Sequence, residues 1–151
     1  MGKSQTWILT SSPDNHAATR DIGFSVIGLK ERNRRRAERI EIGDRIVLYL
    51  TKEMTFGGSI LITGDMYEDR EKIWPGKPGN PDSYPWRFPT EAEVVVPPNA
   101  HVPAEKLKDK LEHVGKWPAE HCKLAFQGQI REVSDADAKV LLKALRAAAN
   151  G

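Results

Sequence analysis

In this 151-residue chain, the residues best suited to bind a ligand are aromatic side chains in and beside one loop, because their rings can stack on a planar molecule. Trp74, Tyr84 and Trp86 lie within or beside residues 73–85, a segment dense in proline and glycine. Loops mostly face solvent, so a large ring in one needs a physical reason. Either the rings fold back to cover the core, or they form a stacking surface for a planar ligand.

Positive charge gathers in one segment of a chain whose net charge is only +2. Residues 30–39, called here the basic segment, carry six basic side chains against Glu31 and Glu38. Such a segment gives the molecule a preferred side for polyanions. The alternative is a solvated surface loop or short helix. The basic residues are Lys30, Arg32, Arg34, Arg35, Arg36 and Arg39.

The sequence contains no recognisable arrangement of catalytic or metal-binding residues. Its histidines are scattered and Cys122 is the single cysteine, whereas zinc requires clustered ligands. Gly76-Lys77-Pro78-Gly79 lacks the hydroxyl residue and the helix of a phosphate-binding loop. A Ser11 or Ser12 nucleophile with His16 as its base would lack a third group. We therefore expect no catalytic residues, no metal and no cofactor.

The composition limits the classes of protein to which this chain can belong. With 39% hydrophobic and 29% charged residues, a chain of this length predicts one soluble globular domain over residues 1–151. A single cysteine excludes an internal disulfide framework and favours a reducing compartment, so we expect a cytoplasmic protein. We expect neither a signal peptide nor a membrane span, because the apolar runs are too short for either.

The elements that must position these residues are short strands with helices around them. Residues 11–15 have the short polar side chains of a turn or a helix start. Ser134 and Asp137 predict a capped helix with an apolar stripe over residues 140–148, and Pro103 suits the start of another helix. The predicted strands are Thr6–Thr10, Phe24–Gly28, Arg45–Leu50, Ser59–Thr63 and Trp86–Val96. Non-local pairing of such strands predicts a small mixed barrel of the α+β class.

Motifs in order along nearly the whole chain resemble those of EVE domains. Ile42-Gly43-Asp44-Arg45-Ile46-Val47-Leu48-Tyr49 is similar to the family's Gly-Asp element, which precedes a strand that ends in tyrosine. Tyr84-Pro85-Trp86-Arg87 resembles the family's Tyr-Pro-Tyr-Arg entry to a strand. The other matching stretches are Thr6-Trp7-Ile8-Leu9, Ser11-Ser12, Asn15, Gly23-Phe24-Ser25-Val26, Ile73-Trp74, Trp117, Phe126-Gln127-Gly128 and Ile130-Arg131-Glu132.

The resemblance implies a PUA-like mixed β-barrel with peripheral α-helices, related to the YTH and ASCH domains. It also implies a non-enzymatic reader of DNA or RNA that holds a flipped, modified base in an aromatic pocket. Phe24 falls where a cage tryptophan is usual in the family, and Trp74 and Trp86 would form the other walls. The further expected pocket residues are Ser11, Ser12, Asn15, Ser25, Tyr84, Arg87, Phe126, Gln127 and Gly128.

The free energy of base binding explains why such a pocket would need the basic segment. Stacking a base on an aromatic ring contributes roughly 1–3 kcal/mol, whereas flipping a base out of a duplex costs a few kcal/mol. Contacts to the phosphate backbone must offset that cost, and we expect them from the basic segment. The residues assigned to the phosphates are Lys30, Arg34, Arg35 and Arg36. Two alternatives stay open: an RNA-binding PUA-like module without preference for modification, and a small nucleobase-processing enzyme.

Overall fold

The computed structural model describes residues 5–75, 84–107 and 130–150. In these ranges the α-helices are α1 (Pro13–Asp21), α2 (Arg34–Ala37) and α3 (Asp135–Asn150). Short 3₁₀ helices cover Glu31–Asn33, Pro98–Ala100 and Ala104–Lys106. The strands are β1 (Thr6–Ser11), β2 (Val26–Leu29), β3 (Arg45–Leu50), β4 (Thr55–Ile62), β5 (Tyr67–Glu68), β6 (Trp86–Val95), β7 (Val102–Pro103) and β8 (Ile130–Val133). None of the described helices is long and apolar enough to cross a membrane.

One mixed sheet forms the framework of the fold. Among the described residues the strands follow the order β2-β6-β4-β3-β1-β8, with β5 paired to β6 and β7 paired to β4. Strands β1 and β3 are parallel, and the other pairs are antiparallel. The sheet curls into a half-barrel with a few helices, so the predicted α+β class and mixed barrel are confirmed.

Side chains alternate across the sheet and build a core on each face. On β1, Ile8 belongs to one core, and Trp7 and Leu9 belong to the other. Helix α3 covers the first core with Leu141 and Leu145, both 0% exposed. The predicted apolar stripe of this helix is therefore confirmed.

The start of α3 is capped as its sequence predicts. Ser134 Oγ accepts a hydrogen bond from the backbone N–H of Asp137 at 3.2 Å. This bond satisfies one of the N–H groups that the first turn of a helix leaves without a partner. The cap therefore defines where the helix that covers the first core begins.

The basic segment closes the second face of the sheet. Ala37 from this segment, and Ile40 just beyond it, pack into the core that contains Trp7. Arg36 Nη1 donates a hydrogen bond to the carbonyl oxygen of Ile130 on β8, at 3.3 Å. Because β2 and β8 lie at opposite ends of the strand order, this segment runs between the two edge strands.

Strand β4 begins earlier than its sequence suggests. It starts at Thr55 instead of the predicted Ser59, so Gly57 and Gly58 lie inside the strand. Gly58 has a φ of +153°, and a Cβ there would lie 2.5 Å from the carbonyl oxygen of Val94. Glycine is therefore needed for the close approach of β6, which explains why a turn-like dipeptide occurs within a strand.

Pro103 does not begin a helix. It ends β7, and the 3₁₀ helix Ala104–Lys106 follows it. Residues 108–129, through which a helix starting at Pro103 would continue, lie outside the described residues. The prediction is wrong at its start because Val102 and Pro103 pair with β4.

Candidate functional site

Helix α1 begins at a capped turn that contains two of the predicted site residues. Ser12 Oγ accepts a hydrogen bond from the Asn15 backbone N–H at 3.2 Å, and Pro13 takes the first helical position. Proline fits there because a helix leaves that N–H without a partner anyway. This start turns Asn15, His16 and Thr19 toward the interior, where all three are buried.

Asn15 and Thr19 connect α1 to two aromatic rings. Nδ2 of Asn15 donates to the Tyr84 hydroxyl at 2.9 Å, and Nε1 of Trp74 donates to Thr19 Oγ1 at 2.8 Å. Thr19 Oγ1 itself donates to the Asn15 carbonyl oxygen at 3.1 Å. The rings of Trp74 and Tyr84 meet edge to face, with their centres 5.7 Å apart. These four side chains form one hydrogen-bonded unit.

Phe24 joins this unit through its backbone. Its N–H donates to the Thr19 carbonyl oxygen at 2.9 Å, and its own carbonyl oxygen accepts from Thr90 Oγ1 at 2.7 Å. Phe24 has a φ of +57°, an angle that costs energy for a residue with a side chain, and these two bonds hold it there. We call the five residues the aromatic cluster: Asn15, Thr19, Phe24, Trp74 and Tyr84.

The missing side chain of Gly28 makes room for Trp74. A Cβ on Gly28 would lie 2.6 Å from Cζ3 of Trp74 and 2.8 Å from the carbonyl oxygen of Tyr84. With this packing the Trp74 side chain is 5% exposed, and Phe24 is also 5% exposed. A base could therefore reach the face of Trp74 only if the segment carrying Trp74 or Tyr84 moved.

Arg87 holds the two segments that carry these rings. Its Nε donates to the Tyr84 carbonyl oxygen at 3.2 Å, and one Nη donates to the Glu71 carbonyl oxygen. The other Nη lies 3.5 Å from the Asp69 carboxylate, and the guanidinium carbon lies 5.1 Å from the centre of the Trp74 ring. Arg87 is 1% exposed, so it does not line a rim as the sequence suggested. It positions the rings from inside the fold.

Trp86 lies on the opposite face of the sheet from Trp74. Strands β2 and β6 pair so that Gly28 is opposite Arg87 and Leu29 is opposite Trp86. Gly28 and Arg87 face Trp74, and consecutive residues of a strand face opposite ways, so Trp86 points away from Trp74. The expectation that both tryptophans are walls of one pocket is corrected accordingly.

Trp86 instead anchors the basic segment. Its Nε1 donates a hydrogen bond to the Glu31 carboxylate. The guanidinium carbon of Arg34 lies 4.4 Å from the centre of the Trp86 ring, and Arg34 Nε is 3.3 Å from Glu38 Oε1. Cation–π contact and the two carboxylates thus fix this part of the segment against β6.

The other residues assigned to phosphates spread along the segment. Lys30 Nζ lies 6.0 Å from the ring centre of Tyr84, Arg35 is exposed, and Arg36 is bonded to β8. Positive charge therefore begins beside the aromatic cluster and continues to the edge of the sheet.

The remaining predicted site residues lie around the cluster or outside the described ranges. Ser25 is exposed and follows Phe24, and its Oγ donates to the Ile22 carbonyl oxygen at 2.7 Å. Ser11 ends β1 just before the cap of α1 and is half-buried. The predicted residues outside the described ranges are Phe126, Gln127 and Gly128.

Sequence reasoning missed Thr19 as a site residue and the contact between His16 and His101. Thr19 lies four residues after Asn15 and so shares its helix face, which is the signal that could have found it.

The rings of His16 and His101 meet edge to face at 5.5 Å. Burial lowers the pKa of His16 to about 4, with contributions from His101 and Arg20, so His16 is neutral at ordinary pH.

The arrangement offers aromatic faces, hydrogen-bonding groups and positive charge. Within the part of the chain that the structure describes, no three His, Cys, Asp or Glu side chains are placed to hold a metal ion. The chemistry that the described residues support is stacking, hydrogen bonding and attraction of anions.

Comparison with known proteins adds a family match and a set of shared folds. The family model of the EVE domain matches residues 5–144. No curated protein matches the sequence. The YTH domain of the Zygosaccharomyces rouxii MRB1 protein, solved in complex with N6-methyladenosine RNA, is 19% identical with a TM-score of 0.65, covering 96% of this chain and 88% of its own.

Two further solved structures share the fold at similarly low identity. Human THYN1 protein, solved in complex with DNA containing 5-methylcytosine, is 16% identical with a TM-score of 0.60, covering 93% of this chain and 98% of its own. A hypothetical protein from Leishmania major is 13% identical with a TM-score of 0.65, covering 96% of both chains. These likenesses confirm the predicted PUA-like fold.

Proposed function

The chain belongs to the EVE domain family, and from that premise we propose that it binds nucleic acid through a modified base. The observation that carries the proposal is the aromatic cluster, in which the rings of Trp74 and Tyr84 meet edge to face and are bonded to Thr19 and Asn15. Aromatic faces stack any base, and relatives of the same fold were solved with N6-methyladenosine RNA and with 5-methylcytosine DNA.

A preference for modification requires more than burial of one methyl group. That burial contributes about 0.8 kcal/mol, or about fourfold in affinity. A stronger preference needs a site in which the unmodified base is poorly satisfied. The Asn15 amide and the Tyr84 hydroxyl are bonded to each other in the free protein. In the proposed complex these two groups break this bond and form hydrogen bonds with the edge of the base. A base whose edge lacks matching donors and acceptors leaves the two protein groups without partners, and it binds more weakly.

The basic segment supplies the contribution that does not depend on the base. Lys30 lies beside Tyr84 and so places a positive charge next to the proposed base position. Phosphate contacts of this kind raise affinity for every sequence and help to offset the cost of flipping a base. We therefore propose a reader in which hydrogen bonds to the edge of the base give the preference, while stacking and charge raise the affinity for every strand.

Fluorescence anisotropy tests this proposal with short labelled strands, plain or carrying N6-methyladenine or 5-methylcytosine. Trp74→Ala is expected to weaken binding of the preferred modified strand roughly 5- to 150-fold, the range for loss of one stacking face. Trp86→Phe is the matched control, because its ring lies on the other face of the sheet, and it should keep the preference. Circular dichroism checks that both variants are folded.

Three outcomes separate the proposal from its alternatives. Equal affinity of the wild-type protein for modified and plain strands would make it a general nucleic-acid-binding module. Unchanged affinity of folded Trp74→Ala would remove the aromatic cluster as the base site. Altered strands after incubation, detected by mass spectrometry, would indicate an enzyme, and we expect none.

A further inference from the structure

A groove lined by arginines lies where the basic segment meets β8. Its volume is about 300 Å³, and no residue of the aromatic cluster lines it. We infer that this groove, called here the arginine groove, binds a phosphate group of the nucleic-acid strand whose base occupies the aromatic cluster, an inference that rests on the proposed function. The lining residues are Trp7, Arg36, Arg39, Ile130, Arg131 and Glu132.

Two guanidinium groups of the groove are held in place by neighbours on β8. Arg36 Nη1 donates to the Ile130 carbonyl oxygen at 3.3 Å, and Arg39 pairs with the Glu132 carboxylate. Arg36 and Arg39 are three residues apart, so they occupy the same side of the segment. Side chains that are already held lose less conformational entropy when an anion binds.

The floor of the groove is a fixed aromatic ring. The guanidinium carbon of Arg39 lies 5.8 Å from the centre of the Trp7 ring, and Trp7 Nε1 donates to Asp44 Oδ2 at 3.1 Å. The Asp44 carboxylate also accepts from the backbone N–H groups of Gln5 and Glu41, both at 2.9 Å. Three donors therefore satisfy the oxygens of this buried carboxylate, which in turn fixes the orientation of the Trp7 ring.

Charge and geometry favour a phosphate as the occupant. The guanidinium groups of Arg36 and Arg39 meet the Glu132 carboxylate in this groove, and the planar fork of arginine matches the oxygens of a phosphate. Arg39 is 66% exposed on its side chain, so a phosphate can share it with Glu132. Because the contact is made to the backbone of the strand, it adds affinity without reading the base.

The position of the groove favours a strand over a free anion. The basic segment begins at Lys30, beside Tyr84 of the aromatic cluster, and leads to Arg36 and Arg39 at the groove. Arg34 and Arg35 lie between these ends. A strand with its base at the cluster can thus follow the basic segment, in which six basic side chains outnumber Glu31 and Glu38, to the groove.

A salt series of anisotropy titrations tests the inference. Arg36→Gln/Arg39→Gln should weaken binding of plain and modified strands by the same factor. It should also reduce the slope of log affinity against log salt by about 0.7, since the groove holds one phosphate and each phosphate contact on a single strand contributes about 0.7. Lys139→Gln/Lys143→Gln removes the same charge from the exposed side of α3, which covers the other core, and should leave the slope within error.

A second variant moves affinity in the opposite direction. Glu132→Gln removes the carboxylate that competes for Arg39, so it should tighten binding and steepen the salt dependence. Neither this variant nor the double arginine variant should change affinity for the modified nucleoside, which carries no phosphate. If the double variant does not fold, Arg39→Gln alone, at an exposed side chain, repeats the test with a slope change of about 0.7.

The outcomes distinguish this inference from the proposed function. If the wild-type protein binds strands and the arginine variants keep its salt slope, the groove is not a phosphate site while the proposed function stands. If inorganic phosphate at constant ionic strength stabilises the wild-type protein but not the arginine variants, and both bind strands equally, the groove takes a free anion and the inference is overturned. If no strand binds the wild-type protein, the proposed function fails and this inference fails with it.

Discussion

Protonation of His16 is expected to destabilise the fold below neutral pH. His16 lies on the buried face of α1, is 4% exposed, and has no hydrogen-bond partner at Nε2 among the described residues. A Cβ on Gly57 would lie 2.9 Å from its Cε1, so the ring also fills the space above a glycine. Burial is the main cause of its lowered pKa, and His101 and Arg20 add positive charge nearby.

The size and sign of the effect follow from the pKa of His16, which is lowered from 6.5 to about 4. Between these values the unfolded chain binds a proton that the folded chain does not, so the free energy of unfolding falls as pH falls through this window. The total decrease in the free energy of unfolding is about 3 kcal/mol, of which roughly 2 kcal/mol has occurred at about pH 5. Since domains are typically stable by about 5–15 kcal/mol, this is a large share.

Urea denaturation at about pH 7.5 and about pH 5 measures this loss. His16→Leu keeps a side chain of similar size, breaks no hydrogen bond of Nε2, and should remove about 2 kcal/mol of the acid-dependent loss. His101→Leu is the companion variant and should give an intermediate loss, because it removes only a contributing charge. The reasoning is refuted if His16→Leu loses as much stability on acidification as the wild-type protein does.

Three further predictions concern how the aromatic rings are held. Gly28→Ala should lower the free energy of unfolding by about 1–3 kcal/mol in urea, because its Cβ overlaps Trp74; an unchanged midpoint would contradict this packing. Arg87→Lys keeps the charge but cannot bridge the two carbonyl oxygens at once, so the preference for modified strands should fall several-fold in anisotropy; full preference would mean that another group positions the rings. Trp86→Phe loses the bond to Glu31 and should lower thermal stability while keeping that preference, and loss of preference would return Trp86 to the base site.

Local chemistry made several elements predictable from the sequence. Short polar residues at Ser12 and Ser134 cap helices, because a hydroxyl beside a helix start satisfies a free backbone N–H wherever the helix packs. The strands over residues 45–50 and 86–95 follow from their apolar and β-branched side chains. The motifs of the EVE family, spaced along the chain, predicted the fold and the family together.

The candidate site was only partly predictable. Trp74, Tyr84 and Asn15 lie together with Thr19, whereas Phe24 reaches Thr19 only through its backbone and its ring packs in the core that contains Trp7. That Trp74 and Trp86 lie on opposite faces of the sheet became clear only from the pairing of β2 with β6. Both residues are large, apolar and close to the same loop, so composition and spacing carry no signal for the face on which each ring lies.

By itself the sequence determined that Ser12 and Ser134 cap helices, which side chains are apolar enough to be buried, and that positive charge collects in residues 30–39. Those properties depend on neighbours along the chain. Only the tertiary structure decided that Arg87 is buried as a positioning residue, that Trp86 faces the basic segment, and that Arg36 and Arg39 meet β8 at one groove. These outcomes depend on strand register and on contacts between distant parts of the chain, where a shift of one residue reverses the face on which a side chain lies.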